Sequence, residues 1–337
     1  DHLRRGMSKM NPEAMAQMQR DFEAGCQRPP PDGPGLSAEQ ARRLWQQVEV
    51  FAGYGFNQGH ATAYADVSYR SAYLKTHWPA AFFCARLQDW GGYHHPAVYM
   101  AEAVRWGVAV RPPHVNASAG RPVLAWEDGR PVIWLGLRLI SDLRGRSLGA
   151  LLTARQDGPF VDLRDVLARV PLQELEILHL IQAGVLDGLG SSRAGLLAEL
   201  REIRRGGSAR QLPLLALESD VAPETLAQRL AWERAVMGYP LATLQAWLPQ
   251  LRAAHGDALP LADLAERQRA RTLGVRLPGW SRGPDFFLWD GATWLLAKLP
   301  PKQPLPPAWE PLLITGVRQT DGWGMAWLQL ETWQAES

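Results

Sequence analysis

Residues 51–80 read FAGYGFNQGHATAYADVSYRSAYLKTHWPA and form the densest pattern in the chain. Gly53 and Gly55 predict a loop, because glycine permits the backbone conformations that end a helix. The residues from 61 to 87 have helical composition with a break near Pro79. Four side chains of this run are spaced as one buried face of a helix: Tyr64, Val67, Tyr73 and Leu74.

Composition restricts the class of protein. The chain has 337 residues, of which 46% are hydrophobic and 21% are charged, and this balance predicts two or three globular domains. The net charge is only +2, so any argument for nucleic acid must rest on local clusters of arginine. Arginine greatly outnumbers lysine, which suits phosphate recognition and is equally well explained by a biased genome composition.

Cysteine content and hydropathy bear on the cellular compartment. Cys26 and Cys84 are not part of a CxxC pair and have no nearby histidine cluster, so we expect no zinc site. Isolated cysteines favour a reducing compartment, and neither a long apolar run nor a signal peptide is present. The sequence therefore predicts a cytoplasmic protein with no membrane partner. Because Asp1 opens a stretch that resembles a helix interior, we also expect the chain to begin partway through a domain.

The rest of the chain is helical at first and strand-rich at its end. Residues 127–130 read EDGR between two short apolar runs and predict a β-hairpin. Residues 138–205 and 223–237 indicate several helices. Residues 270–337 alternate like strands and are rich in tryptophan, proline and glycine, which predicts a small β-barrel or sheet. The expected fold class is α+β, mainly α-helical.

The stretch 51–80 resembles the fingers signature of the α subunit of bacterial DNA polymerase III, a C-family DNA polymerase. The resemblance runs over the whole stretch without a gap. Residues 93–97 are closer to the error-prone branch of this family. Other segments resemble the family in the same order along the chain: Leu3–Met7, Val110–Asn116, Trp134–Leu137, Gly158–Phe160, Ala183–Asp187 and Met237–Tyr239. The chain thus resembles the C-terminal portion of such a polymerase.

This resemblance implies four segments. Residues 1–112 would form the C-terminal part of the polymerase fingers. Residues 113–205 would form a tandem helix-hairpin-helix DNA-binding region that includes the β-hairpin. Residues 206–245 would carry a clamp-binding segment and a helix, and residues 246–337 a truncated OB-like β domain.

The family resemblance also implies a nucleotide-facing set of residues: Arg4, Arg5, Gln58 and His60. Guanidinium groups such as those of Arg4 and Arg5 suit phosphate oxygens. The family usually has lysine at the position of Gln58 and serine at that of Gly59. Because glutamine lacks the positive charge, we expect a weakened or altered nucleotide site. A purely structural role is an equal alternative for His60.

Nucleotidyl transfer requires two metal ions held by paired carboxylates. Asp162 and Asp165 flank the predicted start of a helix, and Asp285 and Asp290 bracket an apolar strand, so we expect cap and turn residues there. The resemblance implies that the catalytic aspartates lie upstream, in a palm domain that this chain lacks. We therefore expect no catalytic residue, metal site or cofactor in this chain, Mg²⁺ in the missing palm, and no polymerisation by the chain alone.

In the helix-hairpin-helix region, the resemblance implies glycines that let backbone N–H groups approach a DNA phosphate. The second hairpin keeps Gly184, whereas Asp142, Leu143 and Arg144 replace the family's Gly-x-Gly in the first. The aspartate would repel phosphate, while Arg144 and Arg146 would attract it. We expect weak, non-specific duplex binding through Arg144, Arg146 and Gly184, with a purely structural pair of hairpins as the alternative.

Residues 211–215 read QLPLL and resemble the pentapeptide with which the family binds the sliding clamp. In such a motif Leu214 and Leu215 would enter an apolar pocket, and Gln211 would form hydrogen bonds at its rim, with Leu212 between them. The pentapeptide alone is a weak signal. Its position along the chain, which matches that of the family's internal clamp motif, strengthens the prediction.

The strand-rich end lies where the family has an OB-fold, which would bind single strands through aromatic side chains. The segment is shorter than a full OB barrel, and tryptophans in small β domains more often belong to the core. The candidates for stacking on bases are Trp289, Trp294, Trp323 and Trp327.

Two functions follow from these observations. The leading hypothesis is part of a DNA-directed DNA polymerase whose partners are primer-template DNA, single-stranded DNA, the sliding clamp and a palm-containing polymerase portion. The alternative is a non-catalytic clamp- and DNA-binding accessory protein derived from such a polymerase. Gln58, the altered first hairpin and the shortened end favour this alternative.

Overall fold

The computed structural model describes residues 12–50, 58–89, 92–190, 192–206, 221–279 and 285–336. The chain divides into two compact units, residues 1–76 and 77–337. This division falls inside the segment 1–112, which the sequence assigned to a single domain.

The first unit contains helices α1 (Pro12–Gln27) and α2 (Ala38–Val50) and all but the last residue of α3 (Gln58–His77). The first two pack together through Phe22 and the buried Trp45, whose ring centroids lie 5.5 Å apart. Ser37 begins α2 with a reciprocal cap. Its hydroxyl accepts the Gln40 backbone N–H at 3.2 Å, and the Gln40 side chain accepts the Ser37 N–H at 2.9 Å.

Helix α3 differs from the prediction. Its expected buried residues are exposed, with Tyr64 at 63% and Leu74 at 47% exposure. Tyr69 is also exposed, and its ring stacks on that of Tyr73. The apolar side chains are spread around the helix, so no single apolar stripe exists to pack on one neighbour. The prediction of a buried face was therefore wrong for this chain.

The second unit is mainly helical up to residue 254. Its α-helices are α4 (Pro79–Asp89), α5 (Pro96–Arg105), α6 (Gly145–Ala154), α7 (Leu163–Arg169), α8 (Glu174–Gln182), α9 (Arg193–Gly206), α10 (Leu226–Val236) and α11 (Leu241–Ala254). Apolar residues from α6 to α9 form one continuous core, which includes Leu148, Phe160, Ile177 and Leu196.

A small sheet precedes α6 in the chain. It consists of β1 (Ala109–Arg111), β2 (Val123–Glu127) and β3 (Arg130–Trp134) in the order β1-β3-β2. Asp128 and Gly129 join the last two strands, and both have positive φ, 49° and 75°. These angles are required of a two-residue hairpin turn, which confirms the hairpin predicted from the sequence.

The C-terminal strands are β4 (Ala258–Leu259), β5 (Arg269–Arg276), β6 (Asp285–Trp289), β7 (Trp294–Lys298), β8 (Pro311–Thr320) and β9 (Ala326–Ala335). The pairing order β5-β6-β7-β9-β8 returns from β8 to β5, so five strands close into a barrel, with the short β4 added to β5. We expected a truncated OB-like domain, but the ring is complete. The mainly α-helical α+β fold with an OB-like end is confirmed.

Alternation along β6 decides which side chains fill the barrel. Phe286 and Leu288 point into the barrel core, whereas Phe287 and Trp289 belong to the core shared with α4, α5 and α11. The outer face of β6 is therefore covered by helices of the same unit.

None of the helices in the part of the chain that the structure describes combines the length and the hydropathy needed to cross a lipid bilayer.

A candidate nucleic-acid interface

The first hairpin is the loop from Ser141 to Arg144, which leads into α6. Asp142 has a φ of 63°, so the aspartate adopts the left-handed backbone conformation at the position where the resemblance has glycine. Aspartate tolerates this conformation better than most residues. The Asp142 carboxylate lies 3.3 Å from His179 Nδ1, which is also 3.0 Å from the Ser141 carbonyl oxygen. Aspartate therefore forms the left-handed turn of this loop in place of glycine.

Arg144 forms an internal ion pair. Its Nε donates to Glu176 Oε1 at 2.9 Å, and its backbone N–H donates to the same oxygen at 3.0 Å. The Glu176 carboxylate, whose side chain is 2% exposed, also accepts the Gln173 N–H and thereby caps α8. Hydrogen bonds from Arg144 hold the pKa of Glu176 far below its ordinary value. The guanidinium proposed for phosphate is thus engaged by a carboxylate.

Arg146 lies in the first turn of α6 and is exposed. Its side chain therefore remains accessible to a polyanion. Of the two arginines that the sequence proposed for this hairpin, it is the one whose guanidinium is not held by Glu176.

Gly184 is buried and has a φ of 77°. Its N–H donates to the Ile181 carbonyl at 3.0 Å, so this donor ends α8 and does not face solvent. A β-carbon at residue 184 would lie 2.6 Å from Cζ of Arg193. Glycine is needed here because the arginine packs against the backbone.

Arg193 joins the second hairpin to α10. Its Nε and Nη2 donate to the Asp187 carboxylate at 2.9 and 2.8 Å, and Nη2 lies 2.9 Å from Glu233 Oε1. Thr243 donates its hydroxyl to the same Glu233 oxygen at 2.8 Å. Burial raises the pKa of Glu233. This buried network is structural, and the sequence analysis did not find it because its members are far apart in the chain.

A second glutamate, Glu224, accepts a backbone hydrogen bond at the start of the helix that follows the second hairpin. Glu224 Oε2 accepts the Ala194 N–H at 2.9 Å in the first turn of α9, and Arg229 pairs with its other oxygen at 2.6 Å. The helix N-termini after both hairpins thus interact with carboxylates of the same chain.

The four candidate tryptophans occupy different environments. Trp289 is 0% exposed and belongs to the core, so it cannot stack on a base and that prediction was wrong. Trp294 packs on Phe287 and donates its indole N–H to Glu102 at 2.8 Å. Lys298 Nζ lies 4.3 Å from the centroid of the Trp327 ring. Trp323, in the connection between β8 and β9, is 97% exposed.

A cavity of about 650 Å³ lies beside this connection. Its lining includes Tyr93, Arg105, Trp294, Arg318 and Met325. Nε of Arg318 is buried and has no hydrogen-bond partner among the residues that the structure describes. The Arg105 guanidinium lies over the Trp294 ring at 5.2 Å. The cavity therefore combines aromatic surfaces with two guanidinium groups, of which that of Arg105 is paired with Glu102 at 3.0 Å.

The acidic residues considered for metal binding have structural roles. Asp162 caps α7 by accepting the Asp165 N–H at 2.7 Å, and Asp165 pairs with Arg169. Asp290 is buried and accepts the Leu261 and Thr293 backbone N–H groups. The cap and turn interpretation is confirmed for Asp162 and Asp290. Across the described ranges, no group of three His, Cys, Asp or Glu residues could hold a metal ion.

Several predicted site residues lie outside the described part of the chain: Arg4, Arg5, Gln211, Leu212, Leu214 and Leu215. Gln58 begins α3, and its side chain is not described either. His60 is exposed in the first turns of that helix, and its ring lies 4.3 Å from that of Tyr64.

Comparison with known proteins gives a consistent family. A model of the helix-hairpin-helix motif matches residues 107–196. The DNA polymerase III subunit alpha of Pasteurella multocida is 32% identical over 296 residues, which cover 80% of this chain and 25% of that protein. The same subunit of Vibrio cholerae is 36% identical and covers 62% of this chain, with 18% of that protein matched. The chain is a relative of the bacterial C-family DNA polymerases.

The error-prone branch is also represented. The error-prone DNA polymerase of Alkalilimnicola ehrlichii is 32% identical over 285 residues, which cover 77% of this chain and 26% of that protein. Because both branches of the C-family polymerases match, the assignment to the error-prone branch stays a prediction. The chain spans between 18% and 26% of the length of these three relatives.

Among solved structures, a replication protein A heterotrimer bound to single-stranded DNA covers 22% of this chain and 61% of that chain. The two share 8% sequence identity, and the TM-score is 0.19. A TM-score this low does not establish that the two proteins share a fold or a function.

Proposed function

We propose that the chain is the DNA-holding part of a C-family DNA polymerase. In this proposal the chain binds single-stranded DNA at the β8–β9 end of its barrel. The observation that supports this proposal is the exposure of Trp323 at 97% next to a cavity lined by Trp294, Arg105 and Arg318. OB-folds bind oligonucleotides through their second and third strands and adjoining loops. Here helices cover part of that strand surface, so the β8–β9 connection carries the contact.

The chemistry of this end suits unpaired bases. An exposed indole stacks on any base. The Arg318 guanidinium, which forms no ion pair among the described residues, attracts the phosphate backbone, whereas that of Arg105 is paired with Glu102. Met325, which is 63% exposed beside Trp323, adds adaptable apolar surface. The expected binding is therefore strong in low salt and tolerant of sequence.

The experiment is a titration of the protein with fluorescein-labelled oligo(dT), read by anisotropy. Loss of one stacked base costs about 1–3 kcal/mol, so Trp323→Ala is expected to weaken binding roughly tenfold. Trp126→Ala is the matched control, since Trp126 is 68% exposed on β2, outside the barrel. Equal affinities for the two variants would contradict the proposed site, and no binding by the wild type would contradict single-strand binding altogether.

A sliding clamp is the second partner that we propose, through Gln211, Leu212, Leu214 and Leu215. The support is the QLPLL sequence and its place between α9 and α10 in a polymerase relative. The paired substitution L214A and L215A is expected to abolish retention of the chain on immobilised clamp while leaving its thermal unfolding unchanged. Undiminished retention would reject the assignment.

In this proposal, nucleotide addition would require a larger assembly that includes this chain. The Mg²⁺-binding carboxylates would belong to a palm-containing portion, and Arg4, Arg5, Gln58 and His60 would face the nucleotide from this chain. Primer extension by this chain alone is expected to fail, and addition of the palm-containing portion of a related polymerase is expected to restore it. Continued failure with clamp binding intact would favour the alternative, a non-catalytic accessory protein.

A further inference from the structure

A polar cleft lies beside the first hairpin, apart from the cavity near Trp323. It has a volume of about 290 Å³, and its lining includes Gln88, Asp89, Arg121, Pro122, Arg138 and Leu139. Arg121 and Arg138 are both exposed, and neither forms an ion pair within the described ranges. Two guanidinium groups and one carboxylate, that of Asp89, line this small cleft, and the net positive charge attracts an anion.

Close backbone packing fixes the two sides of this cleft. The Leu137 and Arg138 N–H groups donate to the Ala119 and Gly120 carbonyls at 2.9 and 3.1 Å. A β-carbon at residue 136 would lie 2.6 Å from Cα of Arg121, so Gly136 is the residue that lets the two segments meet. These contacts fix the backbone of both arginines. Less conformational entropy is therefore lost when a ligand binds.

The cleft borders the helix that leaves the first hairpin. A β-carbon at residue 120 would lie 3.4 Å from Cδ2 of Leu148, a residue of α6, and Arg146 is exposed in the first turn of the same helix. By contrast, Glu176 holds Arg144 and its N–H, and Glu224 occupies the first turn of α9. A phosphate at either hairpin would meet a carboxylate already bound there.

We propose that the cleft between residues 120–122 and 136–139 binds a DNA backbone phosphate. Arg121 and Arg138, and not the hairpin loops, would then contact the duplex. This inference rests on the proposed DNA-holding function. A planar guanidinium pair suits the oxygens of a phosphodiester. The Asp89 carboxylate at the cleft reduces this attraction, but the two guanidinium groups keep the net charge of the lining positive.

The test measures the affinity of the full chain for a fluorescein-labelled duplex as a function of salt. Each phosphate contact contributes about 0.9 to the slope of log affinity against log salt, so the paired substitution R121A and R138A, which removes one phosphate contact, is expected to reduce the slope by about 0.9. Affinity at low salt should fall at least tenfold. The pair R121K and R138K keeps both charges and should retain most of the slope.

Arg130→Ala is the matched control, because Arg130 is exposed at the start of β3 and does not line the cleft. It is expected to change the slope by less than the paired variant. Loss of slope in Arg146→Ala, with the cleft variant unaffected, would return the phosphate contact to the hairpin and overturn the inference. Absence of duplex binding by the wild type would overturn the inference together with duplex holding, whereas single-strand binding at Trp323 is read separately with oligo(dT).

Discussion

Gly184 and Gly188 follow α8 and both have positive φ, 77° and 87°. Their surroundings differ, because a side chain at residue 188 would meet nothing within 4 Å, whereas one at residue 184 would collide with Arg193. The two positions therefore separate the backbone cost of replacing glycine from the packing cost.

We predict that Gly184→Ala destabilises the protein much more than Gly188→Ala. A non-glycine residue in the left-handed region costs about 1–3 kcal/mol in either variant. Only the first also displaces Arg193 from Asp187 and Glu233. Urea unfolding followed by tryptophan fluorescence gives both free energies, and equal losses would contradict the packing role of Gly184.

At the scale of elements, one carboxylate joins α6 to α8. Arg144 holds the pKa of Glu176 well below its ordinary value, so the folded protein keeps Glu176 ionised where the unfolded chain takes up a proton. The resulting stability is present above the unfolded pKa of about 4.3 and is lost as pH falls toward the folded pKa.

We predict that Glu176→Gln lowers the free energy of unfolding most near neutral pH. The difference from the wild type should narrow steadily as the pH falls below about 4, because the wild-type carboxylate then loses its advantage over the amide. Chemical unfolding over a pH series measures this difference. A gap that stays constant with pH would mean that the carboxylate charge is not what joins the two helices.

A second link between elements is the buried arginine between α9 and α10. Arg193→Ala leaves Glu233 buried without its cation, and removal of one partner of a buried ion pair typically costs about 3–5 kcal/mol. We therefore predict a large loss of stability, which the paired apolar substitution R193M and E233M should partly recover. Equal losses in the two variants would show that packing, and not charge, dominates at this site.

At the scale of the whole molecule, the chain spans about a quarter of the length of the Pasteurella multocida polymerase subunit, and its helix α3 carries exposed apolar side chains. Val67 and Leu74 are 61% and 47% exposed, and large exposed apolar surfaces mark contacts with other polypeptide. We propose the palm-containing portion of a polymerase as the polypeptide that contacts these side chains.

We predict that the paired substitution V67S and L74S leaves the stability of the isolated chain within about 0.5 kcal/mol, since both side chains are exposed. The same change should weaken capture of the palm-containing portion of a related polymerase. Ser68→Ala on the same helix is the control. A large fall in thermal stability without any effect on capture would indicate that α3 packs within this chain.

The sequence by itself determined the family, the order of helices and strands, the Asp128-Gly129 hairpin and the strand-rich end. These features depend on local patterns: a glycine at a turn, apolar spacing along a helix, alternation along a strand. Asp162 was assigned as a cap for the same reason, because a cap acts within one turn of its own helix.

The tertiary structure alone decided which charged and aromatic groups remain available. Arg144 pairs with Glu176, 32 positions away, and the ring closes where β8 meets β5. Trp289 and Trp323 have the same side chain, yet one is buried in the core and the other is 97% exposed. Burial and ion pairing arise from contacts between distant parts of the chain, and no local pattern carries that information.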